Sequence, residues 1–339
     1  MSISKDDLKS YFIKSLNGMA LGLFSSLLIG LIMKQIGGIL SIGFLENFGR
    51  MAQLLMGPAI GVGVSFSLGA PALGIFSSAI VGAIGAGSIS LAGPDPIIQI
   101  GEPVGAYVST IVGIIVARFF DKDSSFKILS IPFMTILCGG LTGIYISPTI
   151  SRFMGLIGSF INIATELNPI PMGILISISM GILLTLPISS AAIAISLGLS
   201  GLAAGASVVG CSANMVGFAV ISYMDNGFGG LLAQGLGTSM LQIANIIKNP
   251  KIWIPPIVAS GILGPISTYL LKMENNMIGA GMGTSGLVGQ IAAFDTMGAS
   301  PRNIGLVLLM HFILPGLISF IVYKFMFKRG LIKEGDMKI

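Results

Sequence analysis

Charged residues are scarce in this sequence. Only 9% of its 339 residues are charged, whereas 53% are hydrophobic and the mean hydropathy is +0.95. A water-soluble domain of this size needs more charged side chains to cover its surface. The composition therefore predicts a polytopic membrane protein and excludes a soluble globular protein.

Histidine and cysteine are also rare. The chain has one histidine, His311, and two cysteines, Cys138 and Cys211, which lie in apolar stretches without CxxC spacing. Such cysteines are typical of small buried residues. No other histidine, cysteine or clustered carboxylate stands at metal-ligand spacing, and no serine, histidine and aspartate set for catalysis can be assigned. We therefore expect no metal, no cofactor and no catalytic residue in this chain.

Long charge-free intervals are present instead. Each can hold at least one helix of about 20 residues, and the two longest can hold two or more. The sequence therefore predicts an all-α integral membrane protein with about 8 to 10 transmembrane helices. The intervals are Ser15–Met33, Met51–Pro94, Ile128–Ser151, Leu167–Met224, Asn226–Ile247, Ile252–Leu271 and Asn303–Tyr323.

The chain beyond Pro169 is rich in glycine, serine and alanine and is interrupted by Pro187. This pattern predicts broken helices or re-entrant hairpins. Small residues let helices pack closely, and interrupted helices at membrane depth also border binding sites. Close packing and construction of a site are both open interpretations of this region.

Lysine and arginine cluster at the ends of the predicted spans. The net charge of +5 would suit nucleic-acid binding in a soluble protein, but these positions indicate orientation signals, so we expect no nucleic-acid partner. Facing the cytoplasm, the clusters would place both termini inside. After the second cluster, Phe126–Ser147 and Met154–Thr165 are expected to cross out and back, with an oblique or interfacial position as the alternative for the short second segment. The clusters are those of Lys5–Lys14, Arg118–Lys127, Lys248–Lys251 and Lys324–Lys338.

Two carboxylates interrupt the apolar stretch "GPDPIIQIGEPVGAY". Glu102 precedes Pro103, which suits the first turn of a helix, and Asp95 stands between two prolines. The pattern predicts an extended or re-entrant entry followed by a helix. For Glu102 we favour a carboxylate that accepts hydrogen bonds from ligand hydroxyls, with an interfacial cap as the alternative. For Asp95 we favour the cap.

His311 lies in "LVLLMHFILPG", four residues before Pro315. An imidazole at membrane depth needs a polar partner. It could donate to a carbonyl that the proline leaves free, or it could contact a substrate. We favour substrate contact.

Two glycine-rich stretches share a GxGTS element. They are "DNGFGGLLAQGLGTSMLQ", from Asp225 to Gln242, and "GMGTSGLVGQ" from Gly281. Neither has the GxxxxGK[ST] pattern of a nucleotide site. Amides and hydroxyls on such loops suit sugar-like ligands, whose hydroxyls donate and accept. We add Asn214, Gln234, Asp225 and Gln242 to the candidate substrate-binding residues.

The stretches "GEPVGAY", "GCSANMVGFAV", "NGFGGLLAQGLGTSMLQ" and "AGMGTSGLVGQ" resemble the membrane components (EIIC) of the bacterial phosphotransferase system, in the type 2 branch that includes the clostridial perfringolysin regulator. The resemblance spans essentially the whole chain. It implies one membrane domain over residues 1–339, without IIA or IIB domains. It further implies a homodimeric sugar channel in the lipid of the plasma membrane, with separate IIB and IIA phosphocarrier partners. In this family a Glu and a His contact the sugar, roles that Glu102 and His311 could take.

Three functions follow as hypotheses. The first is a permease that binds a sugar or related small polar solute and moves it for phosphorylation by IIB. The second is a membrane sensor or regulator that binds the ligand without transport. The third is a proton-coupled transporter that uses Glu102 or Asp225 as the proton carrier.

Overall fold

Helices account for nearly all of the regular structure. A computed structural model of the chain describes residues 5–91, 96–121 and 126–339. Within these ranges the one sheet is a pair of two-residue strands. The expectation of an all-α membrane protein is confirmed. The chain divides into unit 1, Met1–Phe153, and unit 2, Met154–Ile339.

Unit 1 contains six helices, the start of a seventh and the strand pair. The strands are antiparallel, with Ile89 opposite Ile98, and lie between the fifth and sixth helices. A π-helical turn, Phe24–Leu28, joins the first two helices. The elements are α1 (Lys5–Leu23), α2 (Ile29–Ile39), α3 (Gly43–Leu54), α4 (Met56–Ser67), α5 (Ala72–Ala86), β1 (Ile89–Ser90), β2 (Ile97–Ile98), α6 (Pro103–Phe120) and α7 (Lys127–Thr165).

Unit 2 contains the remaining helices. They are α8 (Pro169–Thr185), α9 (Ser190–Ser196), α10 (Gly201–Ile221), α11 (Tyr223–Leu232), α12 (Ile243–Lys248), α13 (Ile254–Pro265), α14 (Met277–Ala280), α15 (Val288–Met297), α16 (Pro301–Leu308) and α17 (Leu314–Lys328). Short 3₁₀ helices cover Ser239–Gln242, Pro250–Trp253 and Ser285–Leu287, and π-helical turns cover Ala233–Gly237, Ile266–Leu271 and Leu309–Ile313.

Six helical segments in the described ranges are long and apolar enough to cross a membrane. They are Ser10–Gly38, Pro103–Phe120, Lys127–Ile146, Gly201–Ile221, Pro250–Leu271 and Pro301–Lys328. Three shorter apolar helices, α4, α5 and α8, accompany them. A helix of 12 to 17 residues rises only about 18 to 26 Å, less than the thickness of the hydrocarbon core. The full number of crossings therefore stays a prediction.

The expected interruptions of helices are present. The last span changes to a π-helical turn at Leu309–Ile313, directly before α17 begins. Pro315 explains this position, because it lacks the N–H that would bond the carbonyl of residue 311. The break places His311 on an irregular turn instead of a regular helix.

The expected return crossing after Ser147 is wrong. Helix α7 continues without a break from Lys127 to Thr165, a length of 39 residues or about 58 Å. Only its first half, Lys127–Ile146, qualifies as a span. Pro148 lies at the expected turn, but residues 144–152 contain no glycine, asparagine or aspartate that would end a helix and start a turn.

Candidate functional site

Helix α10 is the centre of unit 2. It packs against α8, α13 and α17, and 94% of its span is buried. A β-carbon on Gly210 would overlap the carbonyl of Ser177 on α8, so glycine is required where the two backbones meet. Polar side chains on α10 are therefore surrounded by protein and must find partners there.

Asn214 is fully buried near the middle of α10 and has four hydrogen-bond partners. Its Nδ2 donates to the Gly210 carbonyl at 3.2 Å and to Ser260 Oγ at 3.2 Å. Its Oδ1 accepts from Trp253 Nε1 at 2.9 Å and from Thr185 Oγ1 at 3.3 Å. The structure thus places Asn214 as a bridge between helices, with its amide occupied by protein groups.

The two GxGTS elements form loops that touch each other. We call residues 233–239 the first glycine-rich loop and residues 281–287 the second. The Thr284 hydroxyl of the second loop donates to the Gly235 carbonyl of the first. The repeated sequence element therefore marks two parts of one structure.

Each glycine-rich loop is also fixed to a neighbouring segment. Ser239 Oγ of the first loop lies 2.8 Å from Thr185 Oγ1 at the end of α8. Ser190 Oγ of α9 donates to the Gly281 carbonyl of the second loop at 2.7 Å. The first loop is thereby connected to the Asn214 network through Thr185, and the second loop is fixed to α9.

His311 pairs with Gln290, a residue of α15 that the sequence analysis does not single out. Gln290 Nε2 lies 3.0 Å from His311 Nδ1, and the two side chains are 4% and 0% exposed. The second polar atom of each, Gln290 Oε1 and His311 Nε2, is buried without a hydrogen-bond partner. Buried polar atoms without partners cost about 1–3 kcal/mol each, so they call for an explanation.

The pairing leaves one donor and one acceptor free. If Gln290 Nε2 donates to His311 Nδ1, the ring carries its hydrogen on Nε2, and Gln290 Oε1 remains an acceptor. If the amide is turned over, His311 Nδ1 donates instead, Nε2 becomes the acceptor, and the amide nitrogen becomes the free donor. Either arrangement matches a hydroxyl group, which donates and accepts.

Two buried hydroxyls near the second glycine-rich loop also lack partners. They belong to Ser212 on α10 and Ser285 in the loop. Gly283 of the loop lies against the Ser212 backbone, and α10 also packs against the turn that carries His311. These unpaired hydrogen-bonding groups therefore lie on α10 or on elements that pack against it.

Glu102 is positioned in unit 1 at the start of α6. Its backbone N–H donates to the Ala86 carbonyl at 2.8 Å, and Gly101 before it adopts a φ of +81° that favours glycine. The extended approach and the helix that starts at Pro103 agree with the expected local structure. One carboxyl oxygen, Oε1, is buried without a hydrogen-bond partner.

Burial raises the pKa of Glu102 to about 7, against a smaller opposing effect of the Val104 backbone amide. The residue lies just before the span that begins at Pro103. A carboxyl group with this pKa exchanges its proton near neutral pH.

Comparison with known proteins identifies the chain. A family model described as "Phosphotransferase system, EIIC" matches residues 13–339. The chain belongs to the EIIC family. This EIIC chain is thereby a multi-pass membrane protein of the phosphotransferase system and a member of its sugar permease subunits. No curated protein matches the sequence.

The remaining candidates of the EIIC chain lie together in unit 2. Gln234 and Gln242 are fully buried and bonded to each other, with 2.9 Å between Gln242 Nε2 and Gln234 Oε1. Asp225 accepts hydrogen bonds from two backbone amides near the end of the sequence. Three candidates thus belong to one network, whereas Asn214 and His311 belong to others and Glu102 lies in unit 1. Asp95 lies outside the described residues.

A cleft of about 470 Å³ lies in unit 1 of the EIIC chain. Lys14 and Arg118 line it, together with Tyr11. Arg118 donates to the Leu68 carbonyl at the end of α4 and lies over the Tyr11 ring. Capping of α4 and the enrichment of cations at span ends explain these residues. The cleft is therefore not part of the candidate sugar site.

In the described ranges no group of three or more His, Cys, Asp or Glu could hold a metal.

Proposed function

We propose that this EIIC chain is a permease subunit that binds a neutral hydroxylated solute in unit 2, through the Gln290–His311 pair. The observation that carries the proposal is the free donor and acceptor of that pair, both buried. A sugar offers hydroxyls that both donate and accept, as these two atoms require. Ser212 and Ser285 would offer further contacts of the same kind.

A neutral ligand fits the groups around the pair. The Asn214 network and the two glycine-rich loops offer amides, hydroxyls and carbonyls, and none of the side chains bonded in them is charged. A charged ligand would need a paired charge to offset its desolvation. This favours the free sugar over its phosphate as the ligand bound in unit 2.

The remaining steps of the proposal are those that the resemblance to the phosphotransferase system implies. Separate IIA and IIB proteins would supply the phosphoryl group, and the sugar would be released to IIB on the cytoplasmic side. A homodimer with both termini cytoplasmic belongs to the same proposal. A regulator of the kind named in the type 2 branch would bind the same sugar without moving it.

The test combines a thermal-shift screen with a replacement that removes the free amide. The detergent-purified protein is heated with a panel of sugars, sugar alcohols and sugar phosphates, and a ligand that binds the folded state raises Tm. Gln290→Leu removes the unpaired acceptor but also takes the partner of His311 Nδ1 away, so the two effects oppose each other and Tm without ligand should change little. The sugar-induced shift should be lost, with at least a tenfold weaker Kd.

The outcome separates ligand binding from a structural role. Thr296→Val on the same helix α15 is the matched control and should keep the shift. His311→Asn should weaken binding in the same way. If Gln290→Leu lowers Tm while the sugar still binds with unchanged Kd, the pair holds α15 to the last span and the proposal fails. Uptake by proteoliposomes with a phosphorylated IIB then separates transport from sensing.

A proton-coupled transporter is the second candidate, and the pKa of Glu102 favours it. Such a transporter would take up solute into proteoliposomes under a pH gradient without any phosphoryl donor, and Glu102→Gln would abolish this uptake. Uptake that requires phosphorylated IIB and is indifferent to the gradient would exclude it.

A further inference from the structure

Residues 330–339, which we call the distal segment, follow α17 and lie against unit 2. Ile332 and Met337 of this segment are each 1% exposed. They belong to an apolar cluster with Phe218 of α10, and Trp253 packs against the same cluster. The segment is therefore anchored by two buried side chains.

Five polar side chains of unit 2 bind the distal segment, and we call them the polar cradle. Asp225 Oδ1 accepts from the Gly335 amide at 2.9 Å, and its Oδ2 accepts from the Met337 amide at 3.1 Å. Asn226 donates to the Met337 carbonyl at 2.8 Å and accepts from the Ile339 amide at 2.9 Å. These contacts recognise backbone groups rather than particular side chains.

The other three members of the polar cradle donate to carbonyls of the distal segment. The contacts are Gln242 to Met337 at 2.8 Å, Asn245 to Lys338 at 2.9 Å and Asn249 to Leu331 at 3.2 Å. Asn249 also donates to the Asp336 side chain at 2.8 Å. Without the segment, buried amides of the cradle would lose their partners. The surface thus has the chemistry of a site for an extended peptide.

The polar cradle is connected to the glycine-rich loops. Gln242 donates both to the distal segment and to Gln234, which lies in the first loop. Gly235, the next residue, accepts from Thr284 of the second loop. The second loop in turn covers Cys211 of α10, because Gly283 lies directly against it. A continuous chain of contacts therefore leads from the segment to the buried centre of unit 2.

We propose that the distal segment is an internal peptide ligand of the polar cradle, and that its binding holds the two glycine-rich loops closed over α10. Release of the segment leaves Gln242 without a backbone partner and loosens the first loop, and the second loop follows through Thr284. The proposal does not depend on the identity of the transported solute, since its tests need no sugar.

The first test is reconstitution from two pieces. A chain that ends at Arg329 is titrated with a synthetic peptide of residues 330–339, and the emission of Trp253, the single tryptophan, is recorded. We expect an altered emission in the shortened chain and a saturable return to that of the full chain. A peptide with Met337→Ser should bind at least tenfold more weakly, and one with Glu334→Ser should bind like the parent. No saturable response, or equal binding of all three peptides, would overturn the proposal.

The second test works in the full chain and keeps the proposal testable if the shortened chain does not fold. In a Cys138→Ser background, Cys211 is the only thiol and is fully buried. We expect N-ethylmaleimide to label it at least tenfold faster in Met337→Ser than in Glu334→Ser, because the loops open when the segment leaves. Added parent peptide should slow the labelling again. Equal rates in the two variants would show that the segment does not control the loops.

Discussion

Buried polar side chains of the two units provide contrasting examples of how such groups find partners. In unit 1, Ser26, Ser65 and Ser78 each donate to the carbonyl four residues earlier in the same helix, at 2.7 Å. In unit 2, Asn214 and Ser239 bond to residues of other helices. A hydroxyl satisfied within its own helix leaves the surface between helices apolar. Bonds between helices instead make the packing of unit 2 specific and leave its unpaired atoms as candidates for ligand contacts.

Removal of Asn214 should show this difference most strongly. Asn214→Ala leaves the buried Ser260 and the partly buried Trp253 without their amide partner, so we expect it to lower the free energy of unfolding by about 3 kcal/mol. Asn17→Ala on the exposed face of α1 is the control and should cost less than about 0.5 kcal/mol. Thermal unfolding in mixed micelles, followed by Trp253 emission, measures both. Similar costs would mean that the network contributes little to unit 2.

Backbone contact between helices should be equally important in both units. A β-carbon at Gly61 in unit 1 would overlap Ser78, as one at Gly210 would overlap Ser177 in unit 2. We expect Gly61→Ala and Gly210→Ala each to cost about 2 kcal/mol of unfolding free energy. Gly305→Ala, where the structure leaves open space, should raise stability by up to about 1 kcal/mol. A cost in one unit alone would restrict the argument to that unit.

The carboxyl group of Glu102 gives unit 1 a pH dependence. Its pKa rises from 4.5 to about 7 on folding, so the folded state holds the proton more tightly. The folded chain must therefore lose stability as pH rises between these values. The Glu102→Gln variant has no titrating proton at this position. The difference between its Tm and the Tm of the unmodified protein should therefore increase from pH 4.5 to 7 and then level off. Glu46→Gln on α3 is the matched control. A difference that is constant with pH would contradict the assignment to Glu102.

The smallest effect is expected for a side-chain pair of unit 1. Tyr107 and Ser15 join α6 to α1 through hydroxyls that lie 2.7 Å apart. Tyr107→Phe should cost about 1 kcal/mol, the net value of one hydrogen bond. Tyr145→Phe, on a side chain that is 76% exposed, should be neutral. If Tyr107→Phe costs as much as Asn214→Ala, the contrast between the units is wrong.

Local features of the site could be predicted from the sequence. The order Glu102–Pro103 specifies a helix start, because proline has no N–H to lose there. The repeated GxGTS element predicts two backbone-rich loops, and the structure shows that they touch. In both cases neighbouring residues determine the conformation.

Partners distant in the chain could not be predicted. Gln290 and His311 are 21 residues apart, and Asp225 lies 110 residues from Gly335, with no periodic pattern to connect them. The sequence does not show whether a side-chain amide binds a ligand or binds a backbone group of the same chain. Asp225 and Gln242 were therefore expected to bind solute, while the structure places them on the distal segment. Whether they also contact a solute stays a prediction.

The burial of Asn214 has a consequence for biogenesis. Its partner Ser260 follows 46 residues later, so α10 leaves the ribosome before α13 exists to receive it. Until then the translocon must hold, or release into lipid, a helix whose buried amide lacks two of its four partners, Trp253 and Ser260. Membrane integration of α10 should therefore depend on synthesis of the chain through α13, which makes insertion of unit 2 cooperative over several helices.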